Sequence, residues 1–187
     1  MHSDDWCTHN MVNSVYLFIF IWYYIFVNKK VRYCIIRQIH YSRGKVMNCK
    51  VYELNNLKSY KYVVIIAKYN GKWVLCKHKK RNTWETAGGH IELGETPLEA
   101  AQRELFEETG AISFDIEPIF DYWAGDETSW ANGMVFYAEI MKLSKLPESE
   151  MEKIECFESL PLNLTYKDIT PKLFKYLENN FQYIFSA

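Results

Sequence analysis

Glu104, Glu107 and Glu108 are the residues whose spacing most plainly suits chemistry. On a helix, positions i, i+3 and i+4 share one face. Like charges so placed cost a few tenths of a kcal/mol. Glu107 and Glu108 would also fall in the last turn, where the helix dipole disfavours negative charge. A hard divalent cation reverses both penalties. Magnesium takes oxygen ligands, often few of them from the protein. The plainer alternative is an acidic face left in water. Arg103 lies beside this face and can pair at i±4 with Glu99 and Glu107.

The helix that would carry these groups is written in the local sequence. Thr96 precedes Pro97, and Glu99 follows three residues after Thr96. That is an N-cap, a proline at the first helical position and a capping box. Gly110 supplies a left-handed stop. The spacing predicts a helix over 97–109, with Leu98, Ala101 and Leu105 as its buried stripe.

Residues 89–111 read GHIELGETPLEAAQRELFEETGA. This resembles the Nudix box, G-x5-E-x7-R-E-U-x-E-E-x-G-U, where U is a bulky aliphatic. Gly89, Glu95, Arg103, Glu104, Leu105, Glu107, Glu108 and Gly110 match, and Ala111 departs weakly at the last position. Such a coincidence arises by chance on the order of once in a million sequences of this length, given average residue usage. The resemblance implies an α/β Nudix fold, a mixed sheet between helices. It implies hydrolysis of a phosphoanhydride in a nucleoside diphosphate linked to another group, with Mg2+ (or Mn2+) as cofactor. Glu104, Glu107 and Glu108 become metal carboxylates, and Glu104 also the group that orients or deprotonates water. Arg103 braces the site by pairing with Glu95. The carbonyl of Gly88 is a further metal ligand. A glutamate outside the box often serves as ligand or base, and Glu150 and Glu152 are candidates. Family sequences usually carry an apolar residue and a proline before the two glycines; Thr86 and Ala87 stand here instead.

Elsewhere the chain is less explicit. Net charge is −1 over 187 residues, so nothing global points to a nucleic-acid polymer; a small nucleotide substrate is what the resemblance implies. Residues 1–50 hold seven Lys/Arg and two Asp/Glu, whereas 51–187 are acidic. Five cysteines without a C-x-x-C suit reduced thiols in a cytoplasmic protein. Residues 15–27, VYLFIFIWYYIFV, are apolar but shorter than the roughly 20 residues of a bilayer span. Three readings of 1–46 stay open: an extension ahead of a true start at Met47, a membrane-associated segment, or a packed N-terminal element. The catalytic domain is expected over 47–187, as a monomer or homodimer.

Within that domain, strands are expected over 48–54, 62–69, 73–78, 112–123, 133–140 and 154–157. Asn70-Gly71 marks a hairpin. Polar stretches 124–132 and 146–152 read as loops, and 172–181 as a last helix capped by Thr170-Pro171. Lys77, Lys79, Lys80 and Arg81 form a basic run: a solvated strand end, or, for Lys79 and Arg81, a contact to substrate phosphates. Trp84, Trp123 and Trp130 are core residues or stacking partners for a base. His40, His78 and His90 have no metal-like spacing.

Substrate marks of the NADH, coenzyme A, ADP-ribose and dinucleoside-polyphosphate types are missing downstream of the box. The resemblance then implies a MutT-like enzyme, releasing pyrophosphate from nucleoside triphosphates, 8-oxo-dGTP among them. The alternatives are another nucleoside diphosphate-X pyrophosphatase and a non-catalytic nucleotide sensor. The sensor usually loses box glutamates that are all present here. The intact box also argues against isopentenyl diphosphate isomerase chemistry.

Overall fold

The computed structural model describes residues 47–126 and 128–182. The expectations placed on 1–46, including the apolar 15–27, lie outside the described residues. Among the described residues no helix is long and apolar enough to cross a membrane.

Strand β1 (Asn48–Glu53) is followed by a hairpin of β2 (Tyr62–Tyr69) and β3 (Lys72–His78). The hairpin turns at Asn70 and Gly71, with φ of 51° and 75°. Two consecutive positive φ values suit a tight turn whose twist matches the strands. Two short strands, β4 (Trp84–Glu85) and β5 (Ala87–His90), lead into helix α1 (Pro97–Thr109). Neither short strand is legible as β-structure. Ala87-Gly88-Gly89-His90 has no β-branched residue, and its strand exists because it pairs with β2, Val63 opposite Gly89.

Strands β6 (Ala111–Gly125) and β7 (Trp130–Leu143) are longer than expected. The polar 124–132 stretch is not a loop throughout, since pairing persists to Gly125 opposite Trp130. A short turn closes the pair, Asp126 Oδ1 accepting from the N–H of Thr128 at 2.6 Å and of Ser129 at 3.0 Å. Pro118 is accommodated where the register shifts between Pro118 and Phe120, a bulge that needs no proline N–H. Strand β8 (Met151–Phe157) takes in the end of the expected acidic loop. Helix α2 spans Thr170–Asn180. Its cap position falls to Ile169, without a side-chain hydrogen bond, so Thr170 is the first helical residue rather than the cap.

The strand order is β1-β6-β7-β2-β3-β4, with β5 also on β2 and β8 also on β3. The β2–β7 ladder is parallel and the other ladders between these strands are antiparallel. Each face of this mixed sheet has its own core. On one, Val63, Ile65, Met134 and Phe136 meet Ala100, Ala101 and Leu105 of α1. On the other, Ile66, Phe120 and Val135 meet Leu173, Phe174 and Leu177 of α2. Leu98 is not in the buried stripe: it is 41% exposed, and Ala100 takes its place beside Ala101 and Leu105. The two small alanines let α1 lie close to the sheet, which brings its acidic face to the glycines of β5.

Candidate active site

Helix α1 begins as its sequence dictates. Thr96 Oγ1 accepts from the N–H of Glu99 at 3.2 Å, and Glu99 Oε2 accepts from the N–H of Thr96 at 2.8 Å. Capping occupies Glu99, so its expected pairing with Arg103 gives way to other partners. Arg103 Nε donates to Glu95 Oε1 at 2.7 Å and Nη2 to Glu95 Oε2 at 2.9 Å. This is a two-point guanidinium–carboxylate fork. Nη1 donates to Glu104 Oε1 at 2.7 Å, and Nη2 also to the His90 carbonyl at 3.0 Å. Glu107 Oε2 lies 3.6 Å from Nη1. The hydrogen bonds from Arg103 hold the Glu95 carboxyl down, to a pKa of about 2. Those carboxylates raise the already high pKa of Arg103.

One guanidinium therefore faces Glu95, Glu104 and Glu107, leaving a surplus of negative charge at the end of α1. Glu108 adds to it from a buried position, 4% exposed, accepting from the N–H of Gly88 at 2.9 Å. The Cys76 thiol is pushed well up by burial, and then by the nearby carboxylates of Glu108 and Glu85. A thiol so placed is a poor nucleophile.

The two glycines of β5 make room for this arrangement. A Cβ on Gly89 would overlap the carboxylate of Glu104. A Cβ on Gly88 would overlap the carbonyl oxygen of Val63 on β2. The sheet backbone and the acidic face of α1 are thus in direct contact.

The donor set suits a hard cation such as Mg2+ or Mn2+: carboxylate oxygens of Glu104, Glu107 and Glu108 beside the backbone of Gly88. Among the described residues no three His, Cys, Asp or Glu side chains already converge on one point. Glu104 is turned to Arg103 and Glu108 to the Gly88 amide, so holding a cation requires them to turn from those donors.

Of the remaining candidates, Glu150, Glu152, Lys79, Arg81 and Trp84 lie around β3, and Trp123 lies on β6. Glu152 pairs with Lys77 at 3.2 Å, and Glu150 Oε2 lies 3.8 Å from Nε2 of the buried His78. Lys79 Nζ donates to the Ser149 carbonyl at 2.7 Å. Arg81 Nη1 donates to Glu85 Oε2 at 2.6 Å. Trp84 is buried with Leu75 and Leu164, edge-on to Phe157 at 5.0 Å, with Lys153 Nζ 5.1 Å from its ring centre. Trp123 is half-buried and stacked with the exposed Trp130, ring centres 6.5 Å apart, and Lys50 Nζ lies 5.6 Å from it.

Sequence reasoning passed over Glu85 and Asp121 and set His78 aside for want of metal-like spacing. Glu85 and His78 carry no local signal, because their partners are set by the β3–β4 and β3–β8 pairings. Asp121 did offer one: a charge inside the apolar run IFDYW.

Comparison with known proteins agrees with this fold. Residues 59–179 match the family model of the NUDIX domain. The chain is 34% identical over 106 residues to the candidate 8-oxo-dGTP diphosphatase YtkD of Bacillus subtilis (strain 168), covering 56% of this chain and 66% of that protein. It is 33% identical over 117 residues to the RNA pyrophosphohydrolase of Sulfurovum sp. (strain NBC37-1), covering 56% of this chain and 74% of that one. The first of these matches spans just under two thirds of the relative's own length. Among solved structures, a point mutant of the Bacillus subtilis pyrophosphohydrolase BsRppH superposes with a TM-score of 0.58 at 27% identity, over 72% of this chain and 92% of that one. The chain, with this fold and an intact box, belongs to the Nudix family of hydrolases.

Proposed function

We propose that this chain is a Mg2+-dependent pyrophosphohydrolase of nucleoside triphosphates, yielding nucleoside monophosphate and pyrophosphate. The observation that carries the reading is the Arg103 fork, which holds Glu95 and Glu104 together above Gly89 while Glu107 and Glu108 continue the acidic face. The similarity to YtkD supports triphosphates, oxidised purines included, as the substrates to test first.

In this reading, water attacks a phosphorus of the chain and one phosphoanhydride bond breaks. Bound Mg2+, or Mn2+, supplies neutralisation of phosphate charge and acidification of the attacking water. Glu104, Glu107 and Glu108 are the carboxylates that would hold it, with the Gly88 carbonyl. Glu104 orients the water and takes its proton. Arg103, donating to Oε1 of Glu104, holds that carboxylate beside Gly89, from where it turns to take a cation. Positioning and charge stabilisation are what phosphoryl transfer demands of a protein.

A second reading is favoured by the similarity to the RNA pyrophosphohydrolase and to BsRppH. In it, the same site removes pyrophosphate from the 5′ end of a triphosphorylated RNA. A panel of nucleoside triphosphates, 8-oxo-dGTP, ADP-ribose, a dinucleoside polyphosphate and 5′-triphosphate RNA, with Mg2+ and chromatographic identification of every product, decides among them. Turnover of ADP-ribose or the dinucleoside polyphosphate, with triphosphates untouched, rejects the proposal.

A further inference from the structure

His78 ends β3 and is buried, 2% exposed. Its Nδ1 accepts from the N–H of Lys80 at 3.0 Å. A ring nitrogen that accepts carries no hydrogen, so the ring is neutral and its hydrogen sits on Nε2. Nε2 lies 3.8 Å from Glu150 Oε2. That is just beyond hydrogen-bond length. The ring is fixed by burial, whereas the Glu150 side chain is 52% exposed and free to turn toward it. Backbone holds the two together. The N–H of Lys79 donates to the Glu150 carbonyl at 3.0 Å, and Lys79 Nζ donates to the Ser149 carbonyl at 2.7 Å.

Alternation along β3 says which side of the sheet this pair is on. Successive side chains point to opposite faces. Val74 and Cys76 pack in the core under α1, so His78, two residues on, shares that face. Met151, opposite His78, belongs to the same core. The Cys76 thiol on this face feels the carboxylate of Glu108. Lys77 takes the other face, and Glu152 goes with it, 3.2 Å from Lys77 Nζ. Glu152 is the extra residue where the β3–β8 register shifts. The two glutamates also differ in electrostatics. Lys77 neutralises Glu152, whereas a neutral imidazole orients Glu150 and leaves its full charge for a cation.

We propose that His78 is a positioning residue of the acidic site: its Nε2 hydrogen holds the Glu150 carboxylate on the α1 face, where Glu150 adds to the charge that Glu107 and Glu108 present to Mg2+. The inference rests on the reading of that face as a cation site. It assigns the supporting role to Glu150 and withholds it from Glu152. An N–H donated to a carboxylate makes a charge-assisted hydrogen bond. Such partners fix the direction of a carboxylate near a metal without touching the metal, and their loss weakens metal binding about tenfold or more.

The test is a Mg2+ titration of the melting temperature of the full chain, without nucleotide, since the rise reports binding to the native state. His78→Phe keeps a ring and removes the N–H. His78→Gln keeps an N–H that reaches Glu150. The Mg2+ concentration giving half the rise should increase about tenfold in His78→Phe and in Glu150→Gln. It should increase no further in the double variant, because both changes remove one contact. In His78→Gln it should stay within about twofold of the wild type, and Glu152→Gln should leave it as it was. A lower melting temperature in His78→Phe with an unchanged Mg2+ midpoint means an ordinary core histidine and overturns the assignment. Additive shifts in the double variant overturn it too. If His78→Phe does not fold, Glu150→Gln decides: an unchanged midpoint there is equally fatal. The titration contains no substrate, so the expected shifts support His78 even where no triphosphate is turned over, and only the hydrolytic reading then fails. Triphosphate turnover with unshifted midpoints does the reverse.

Discussion

The carboxylate of Glu104 occupies the space that a Cβ on Gly89 would fill. Gly89→Ala therefore does not clash with backbone; it pushes the far end of a flexible side chain off its place under Arg103. Folding stability should change by about 1 kcal/mol or less. Turnover should fall about a hundredfold, because displacing a reacting group by an ångström costs that much. Gly88→Ala should behave in the opposite way at the level of stability. Its Cβ meets the Val63 carbonyl and lies 3.1 Å from Val64 Cα, at a φ of 156°. Backbone cannot swing aside, so a loss of about 1–3 kcal/mol is expected. Thermal unfolding beside steady-state kinetics separates the two variants.

Arg103 should show its bracing role as a pH dependence. Its fork holds Glu95 at about 2, against an ordinary value of 4.5. A carboxyl depressed in the folded state stabilises fully above its unfolded pKa. That contribution fades as pH falls from about 4.5 to about 2. Arg103→Ala should cost about 2 kcal/mol at pH 7. The gap from the wild type should narrow steadily below pH 4.5, because the wild type loses what the variant already lacks. Urea denaturation at about pH 7, 4 and 3 measures it. A gap of constant size across that range would show that Arg103 does not hold the Glu95 carboxyl below its ordinary value.

Helix α1 was legible to the residue because all its boundary signals are local: Thr96, Pro97, Glu99 and Gly110 lie within or beside it. The hairpin at Asn70-Gly71 was legible for the same reason. What could not be read depends on distant pairing. Strand β5 is a run of small residues that becomes a strand only against β2. The extension of β6 and β7 through polar residues follows from their mutual ladder, and Trp123 meets Trp130 across it. Leu98 had the right spacing for the core, but the sheet approaches the helix at Ala100 and Ala101 instead. At the site, the shared face of the acidic residues and Arg103 was readable, and so were two partners of Arg103, Glu95 through the resemblance and Glu107 through helix spacing. Glu99 is instead taken by the cap, and the contact to Glu104 was not foreseen because it depends on β5 lying opposite.

Glu107 and Glu108 lend themselves to charge removal without loss of shape. Glu107→Gln and Glu108→Gln should each lower turnover by about a hundredfold to a thousandfold, as loss of preorganised charge stabilisation does elsewhere. Both should fold. Glu107 is only partly buried, and glutamine at 108 keeps an acceptor for the Gly88 N–H. The melting-temperature rise on adding Mg2+ should shrink in both, since that rise reports binding to the native state. Full turnover together with an unchanged Mg2+-induced rise would mean that this face is simply solvated.

The basic run after β3 offered two readings, and its present contacts separate the members. Lys77 and Lys79 are satisfied at the β3–β8 edge, by Glu152 and by the Ser149 carbonyl. Alanine at either should move stability by about 1 kcal/mol at most, as partly exposed ion pairs and hydrogen bonds do. Arg81 is different. Its guanidinium is 2.6 Å from Glu85, whose side chain is 4% exposed. Removing one member of a buried pair costs about 3–5 kcal/mol, because the other charge keeps its desolvation penalty. Arg81→Ala should therefore lower the melting temperature, and Arg81→Ala with Glu85→Gln should recover part of that loss. If Arg81 also contacts phosphate, the double variant regains stability while its KM for triphosphate stays raised by about tenfold or more. If Arg81 only braces β4 against β3, KM returns toward the wild-type value along with stability. Measuring both quantities on the single and double variants assigns Arg81 to one role or the other.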